Sequence, residues 1–251
     1  YDTLKKVLAG EASTDRITGI QQELADISGH MLHFMENHDE QRIASSGFAG
    51  DARKGKPAMV VSATIDGGPV MVYFGQEVGE PAAGDAGFGS ATRTTIFDYW
   101  GVPHHVRWMN DGAFDGGQLT PEEKELREFY RRLLNFTLGS KALTGEYREI
   151  HTYNRHHTEW YNDRVFSFAR WKGDERLIVV VNFDASEAFG FELQLPADLV
   201  AGWGLDDGSY TLTDQMNTGT PVIRVLRVDH GNARVRIDID PLGSLILSVG
   251  T

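Results

Sequence analysis

Near residue 145 the apolar residues of this chain stop recurring at helical spacing and begin to alternate with polar ones. Upstream of that point the pattern is helix followed by strand. Thr14-Asp15 is placed to cap a helix whose apolar positions are Ile17, Ile20, Leu24 and Ile27, with Gly29 as its stop. A short apolar strand is expected from His30 to Asn37. In the next unit Pro57 suits a helix start, Met59 to Ile65 carries the apolar residues, and Gly67-Gly68-Pro69 breaks the chain before a strand at Val70-Met71-Val72-Tyr73-Phe74. Two helix-strand units in succession predict parallel strands covered on both faces. A Gly-rich stretch, 75–118, then leads to Thr120-Pro121-Glu122-Glu123, a capping box with proline at the first helical position. Leu126, Phe129, Tyr130, Leu133 and Leu134 form one face of that helix, and Gly139 ends it.

Beyond Gly145 the chain breaks into short runs: Val165 to Trp171, Arg176 to Phe183, Phe189 to Leu195, Val222 to Val228, Arg234 to Ile239 and Ser244 to Val249. Turn pairs such as Gly173-Asp174, Asp207-Gly208 and Gly231-Asn232 separate several of them, a pattern that predicts an antiparallel β-sandwich. The expected organisation is therefore α/β, residues 1–144, followed by an all-β domain, residues 145–251. There is no internal repeat or floppy linker.

With 251 residues and 41% apolar content, both parts can bury a core. The chain has no cysteine, which excludes disulfides, thiolate metal sites and a cysteine nucleophile. Its 24 basic and 36 acidic residues give a net charge of −12, which disfavours a nucleic-acid footprint. No apolar run is long enough for a membrane span, and no signal peptide is legible. A chain opening on Tyr1 reads as a piece of something longer, so the missing signal carries little weight.

Two polar clusters fall where the predicted parallel strands end. One is Glu36-Asn37-His38-Asp39-Glu40-Gln41-Arg42, the other Tyr73-Phe74-Gly75-Gln76-Glu77. In barrels of parallel strands, sites are built at that C-terminal edge. On residue type and position alone, a binding surface and a set of groups that merely satisfy loop backbone both stand.

Phe34-Met35-Glu36-Asn37-His38-Asp39, with Arg42 three residues on, resembles the segment closing the seventh barrel strand in the α-amylase family of glycoside hydrolases. Gly68-Pro69-Val70-Met71-Val72-Tyr73-Phe74-Gly75-Gln76-Glu77 resembles that family's eighth-strand segment. Order, spacing and strand context agree, and the following helix and β-sandwich fall where the family has its last barrel helix and C-terminal domain. The resemblance implies the C-terminal part of a (β/α)8 TIM barrel followed by a β-sandwich. It implies that Asp39 is the third carboxylate of the catalytic trio, stabilising an oxocarbenium-like transition state, and that His38, with Asn37 beside it, binds the sugar. Arg42, Tyr73 and Glu77 would support the barrel mouth. A carboxylate and tightening hydrogen bonds near a developing positive charge suit that chemistry.

Retaining cleavage also needs a nucleophile and a protonated acid about 5 Å apart, which the family draws from its fourth and fifth strands. The Gly-x-Arg-x-Asp pattern of the fourth is absent here; Arg236-Ile237-Asp238 is an echo without the glycine. The chain alone is thus expected to be inactive and, with barrel edges exposed, to self-associate. The implied partner is an α-1,4-linked glucan or maltooligosaccharide. No cofactor is implied within the chain, and calcium, where the family binds it, sits in a domain outside these residues. The alternatives are a non-catalytic carbohydrate-binding or structural module and a transglycosylase of the same family. His151, His156 and His157 read as loop histidines, and His104 and His105 as scaffold. Trp160-Tyr161, Trp171 and Trp203 read as packing more than as sugar platforms.

Overall fold

The computed structural model describes residues 1–87, 93–97, 101–217, 219 and 222–250. Its upstream part holds α1 (Asp2–Leu8), α2 (Asp15–Glu23), α3 (Gly55–Thr64), α4 (Pro103–Met109) and α5 (Pro121–Gly139). Thr14 does not cap α2. Its backbone is already helical, and its hydroxyl instead donates to the Asp163 and Val165 carbonyls at 3.0 and 2.9 Å, a tertiary contact that outcompetes the local one. The capping box of α5 is present, with Glu123 N–H donating to Thr120 Oγ1 at 3.3 Å and Thr120 N–H to Glu123 Oε2 at 2.9 Å. Helix α4 lies inside the stretch 75–118 that sequence reading left as a loop, because its seven residues give too little periodicity to detect.

The two predicted parallel strands shrink to a single parallel bridge, His33 with Val70. His33 N–H donates to the Pro69 carbonyl and Met71 N–H to the His33 carbonyl, both at 2.8 Å. Ser28–His30 is a 3-10 turn, so the first segment is extended only after it. Gly68 permits the close approach: a Cβ there would sit 2.6 Å from the Met31 carbonyl oxygen.

Among its described residues the downstream part has eight strands, β1 (Glu146–Glu149), β2 (Val165–Lys172), β3 (Glu175–Asn182), β4 (Phe189–Leu195), β5 (Gly208–Asp214), β6 (Ile223–Asp229), β7 (Asn232–Ile239) and β8 (Ser244–Val249), with helices α6 (His151–His157) and α7 (Ala197–Gly202) between them. Sequence reading missed β1 and β5, the first for its brevity and the second for its polar composition. All pairings are antiparallel, in the order β1-β2-β3-β8-β5-β6-β7-β4. The expected two-sheet sandwich is therefore one curled sheet. Although β2 and β4 stand far apart in that order, Tyr161 beside β2 meets Phe191 of β4 at 5.1 Å, and residues of both strands share one core.

That sheet has a core on each face. Ile178 and Val180 point inward, with Phe191, Leu193, Val235 and Ile237 closing over them. Leu177, Val179 and Val181 point outward and pack with Phe166, Phe168 and Ile246 against the upstream helices. Each fully buried side chain of this size contributes about 1.5–3 kcal/mol. Helix α3 is buried along nearly its whole length, as a helix must be when it lies between α5 and the strands β3 and β8. The buried Arg170 ties the seam, with Nη1 donating to the Thr64 carbonyl at 3.3 Å and Nη2 to the Leu143 carbonyl at 2.5 Å. Phe168 and Val179 are thus shielded from water only because the upstream helices cover them. No helix among the described residues is long and apolar enough to cross a membrane.

Candidate functional site

The parallel bridge brings the two polar clusters to one edge. Directly after Met35, the Glu36 side chain turns inward and is buried, a carboxylate that must be paired. Arg42 Nη1 donates to Glu36 Oε2 at 2.8 Å and Ile43 N–H to Oε1 at 2.7 Å. Burial pushes the Glu36 carboxyl up, against the pull of Arg42 and the Ile43 amide. Arg42, itself fully buried, also donates to Thr94 Oγ1 at 2.6 Å and stacks its guanidinium 4.3 Å from the centre of the Tyr73 ring. The ion pair thereby closes the first segment on itself, and cation-π contacts of Arg42 with Tyr73 and, at 5.3 Å, with Phe74 hold it to the second.

Between Glu36 and Arg42 the chain makes a turn that Asn37 holds. Its Oδ1 accepts from the N–H groups of Asp39 and Glu40 at 2.8 and 2.9 Å, an Asx turn that occupies the side-chain oxygen. Glu40 is occupied too, accepting from Tyr1 Oη at 2.6 Å, and Lys5 lies 3.5 Å away. What remains open is His38 and Asp39. Their side chains lie 3.2 Å apart, Nε2 to Oδ2, with 54% and 69% of each exposed. Arg93 Nη1 reaches the Asp39 carbonyl at 3.5 Å, and Thr95 accepts from the Tyr73 hydroxyl at its carbonyl, 3.1 Å away.

Glu77 lies behind this edge, and its Oε2 is buried with no hydrogen-bond partner among the described residues. Beside it Gln76 donates to the Tyr130 hydroxyl at 3.0 Å, joining the edge to α5. His104 bridges the same scaffold: its N–H donates to Glu80 Oε2 at 3.0 Å, and its Nδ1 lies 2.8 Å from Glu123 Oε1. His105 packs between Phe74 and Trp108, its ring centre 5.4 Å from each, and burial lowers its pKa.

The structure thus gathers all six candidates, Asn37, His38, Asp39, Arg42, Tyr73 and Glu77, around one edge and gives them different surroundings. Sequence reading missed Glu36 as the partner of Arg42. The signal was there, since a lone carboxylate in an apolar run is buried only when paired. Thr94 and Glu80 left no such signal. Of the four aromatic candidates in the downstream part, Tyr161 and Trp203 are core residues, Trp171 is half-buried, and only Trp160 is well exposed. His151, expected in a loop, starts α6 and is buried.

Among known proteins, residues 157–250 match the C-terminal all-β domain of the alpha amylases. The fold is that of several solved structures. A noncanonic maltogenic alpha-amylase, AmyB from Thermotoga neapolitana, is 18% identical with a TM-score of 0.64, over 100% of this chain and 49% of that one. The alpha-amylase from Geobacillus thermoleovorans, complexed with acarbose, is 15% identical with a TM-score of 0.64, over 99% and 46%. AmyP in complex with maltose is 18% identical with a TM-score of 0.60, over 98% and 48%. No curated protein matches the chain. The chain spans about half the length of these structures. The domain match and the shared fold agree with the C-terminal part of the α-amylase family.

Proposed function

We propose that this chain is the C-terminal portion of a retaining, α-glucan-acting glycoside hydrolase, carrying the last two strands of its (β/α)8 barrel and the all-β domain behind them. The observation that carries the reading is the open His38–Asp39 pair on a loop whose other polar groups are consumed in holding its shape. In this reading Asp39 accepts hydrogen bonds from the hydroxyls of the sugar at the cleavage point. Its charge also favours the flattened, oxocarbenium-like ring, in which those bonds tighten. His38 donates to the same sugar. Asn37, Arg42 and Tyr73 position the loop, and Glu77 lies in its support. The nucleophile and the acid come from the rest of the parent enzyme.

The test is release of reducing ends from soluble starch and maltoheptaose, by this chain alone and by this chain mixed with the preceding half of its parent. The expected result is no release alone, release from the mixture, and none from a mixture carrying Asp39→Asn. Release by the chain alone that vanishes in Asp39→Asn would place a complete site within these residues and overturn the fragment reading. The same reading expects self-association of the isolated chain through the edge where Ile27, Met31 and Leu32 are 52%, 39% and 48% exposed. A monomeric, dilution-stable particle in light scattering contradicts that.

The second reading, a non-catalytic carbohydrate-binding module, is favoured by one observation: Trp160 is 74% exposed and held at a φ of 69°, a conformation unusual for a bulky residue. Saturable maltoheptaose binding that survives Asp39→Asn and is lost in Trp160→Ala would select it.

A further inference from the structure

The outer face of the curled sheet carries a second polar site, remote in sequence from the His38–Asp39 edge and unused by the glycosidase reading. The hydrogen-bonded register of β6 with β7 runs only from Arg227–Arg234 to Asp229–Asn232. Yet β6 stays paired with β5 out to Ile223, and β7 with β4 out to Ile239. Between the unpaired lengths lies a groove of about 530 Å³. Arg227 and Arg234 stand directly opposite each other at its closed end, both exposed and therefore on one face. Like charges so placed destabilise an antiparallel pair. In a chain of net charge −12 a carboxylate partner would be easy to supply, but neither arginine has an ion pair or side-chain hydrogen bond among the described residues.

The neighbouring arginine shows what a satisfied one looks like here. Arg236 Nη2 donates to Asp238 Oδ1 at 2.6 Å, and Glu192 faces it across the β4–β7 register. This pair lies flat over Gly190, where a Cβ would fall 2.3 Å from Arg236 Nη2. At the open end Arg224 donates Nη2 to the Asp238 carbonyl at 3.4 Å, and its Nη1 has no hydrogen-bond partner among the described residues. Four guanidinium groups against two carboxylates leave the lining positive, and Ile223 and Val225, 63% and 45% exposed, give it an apolar wall.

We propose that this groove is an oxyanion site that takes a phosphoryl group between Arg227 and Arg234, either as free phosphate or as the phosphate ester of a small molecule. Two adjacent planar guanidinium groups present several N–H donors to one tetrahedral anion, and such charge-assisted bonds are the strong ones. The anion also removes the repulsion between the two arginines. The apolar wall suits the organic part of an ester.

The experiment is titration of the chain with inorganic phosphate and, separately, glucose 6-phosphate at constant ionic strength, following the arginine Nε–H resonances by NMR. Saturable shifts at Arg227 and Arg234 are expected, with affinity falling about tenfold or more in Arg227→Gln and in Arg234→Gln. Glu192→Gln, which removes a negative charge from the lining, should tighten binding, a gain that a purely structural role would not produce. Equal affinity for the two probes would mark free phosphate as the ligand; tighter glucose 6-phosphate would mark an ester. All three positions are exposed, so the variants should fold as the wild type does, and the two arginine variants, which remove the repulsion, should melt no lower than it in the absence of ligand. Affinity unchanged by both arginine variants would overturn the proposal. So would failure of both probes to saturate while a poly-glutamate peptide binds, which would make the groove a docking face for an acidic protein.

Discussion

Within seven residues this chain holds two pairs of a carboxylate with a nitrogen side chain, in different surroundings. Glu36–Arg42 closes at 2.8 Å with 3% and 0% of the side chains exposed; His38–Asp39 closes at 3.2 Å with 54% and 69% exposed. The distances hardly differ, so burial separates them. The first pair has no water to fall back on, and losing either member strands the other. The second is screened and rearranges at little cost, which leaves its groups open to a ligand.

The largest expected effect follows from that contrast. Arg42→Ala should destabilise the fold by about 3–5 kcal/mol, because it leaves a buried carboxylate unpaired and removes the clamp on Tyr73. Denaturant melts would read it as a lowered midpoint, and a loss no larger than that of Asp39→Asn would break the comparison. A buried but uncharged counterpart comes next. Asn154 donates to the Ile150 and Gln194 carbonyls at 2.8 and 2.9 Å and accepts from Gln194 N–H and the Thr158 hydroxyl at 2.9 and 2.6 Å. Asn154→Ala leaves those groups unpaired, at about 1–3 kcal/mol by the same melts.

His151–Asp15 is the intermediate case, at 2.7 Å with 1% and 51% exposed. Burial holds the His151 imidazole below its ordinary pKa, outweighing the Asp15 carboxylate beside it. Partial burial pushes the Asp15 carboxyl up, but hydrogen bonds from His151 and Ser13 bring it below its ordinary value. As pH falls through about 6.5, the unfolded chain takes up a proton at His151 that the folded chain resists. Stability therefore falls with acidification from there, and falls again as Asp15 protonates near the acid end. Thermal melts between pH 7.5 and 5, taken as a bracket around the ordinary histidine value of about 6.5, should show a declining midpoint, and His151→Gln should flatten the slope. An equal slope in the variant would show that other groups govern it. The smallest effect belongs to the open pair: Asp39→Asn should shift stability by less than about 0.5 kcal/mol, and on the proposed glycosidase reading it should abolish starch cleavage by the reassembled halves.

Periodicity and turn residues carried much of the fold in the sequence. The capping box at Thr120, six of the seven strands from Val165 onward, and the parallel relation of the segments around His33 and Val70 were all legible, because they depend on neighbours a few residues apart or on the order of elements. The residue cluster from Glu36 to Arg42 was legible as a motif, although its division of labour was not. That Asn37 holds the turn, that Glu36 disappears under Arg42, and that His38 and Asp39 stay in water depends on which way each side chain leaves the backbone.

Tertiary structure alone decided the rest. Thr14 gives up a cap to bond the chain near Val165, some 150 residues away in sequence, as the 151 between Thr14 and Val165 shows. The expected sandwich becomes one sheet because the short pairings of β5 with β8 and of β6 with β7 join its two halves round the core. Leu177 and Ile178 are equally apolar in sequence, yet one faces the upstream helices and the other the sheet's own interior. Local pattern specifies which residues avoid water; only the folded chain specifies what they meet instead, because burial is set by long-range contacts that no short window of sequence contains.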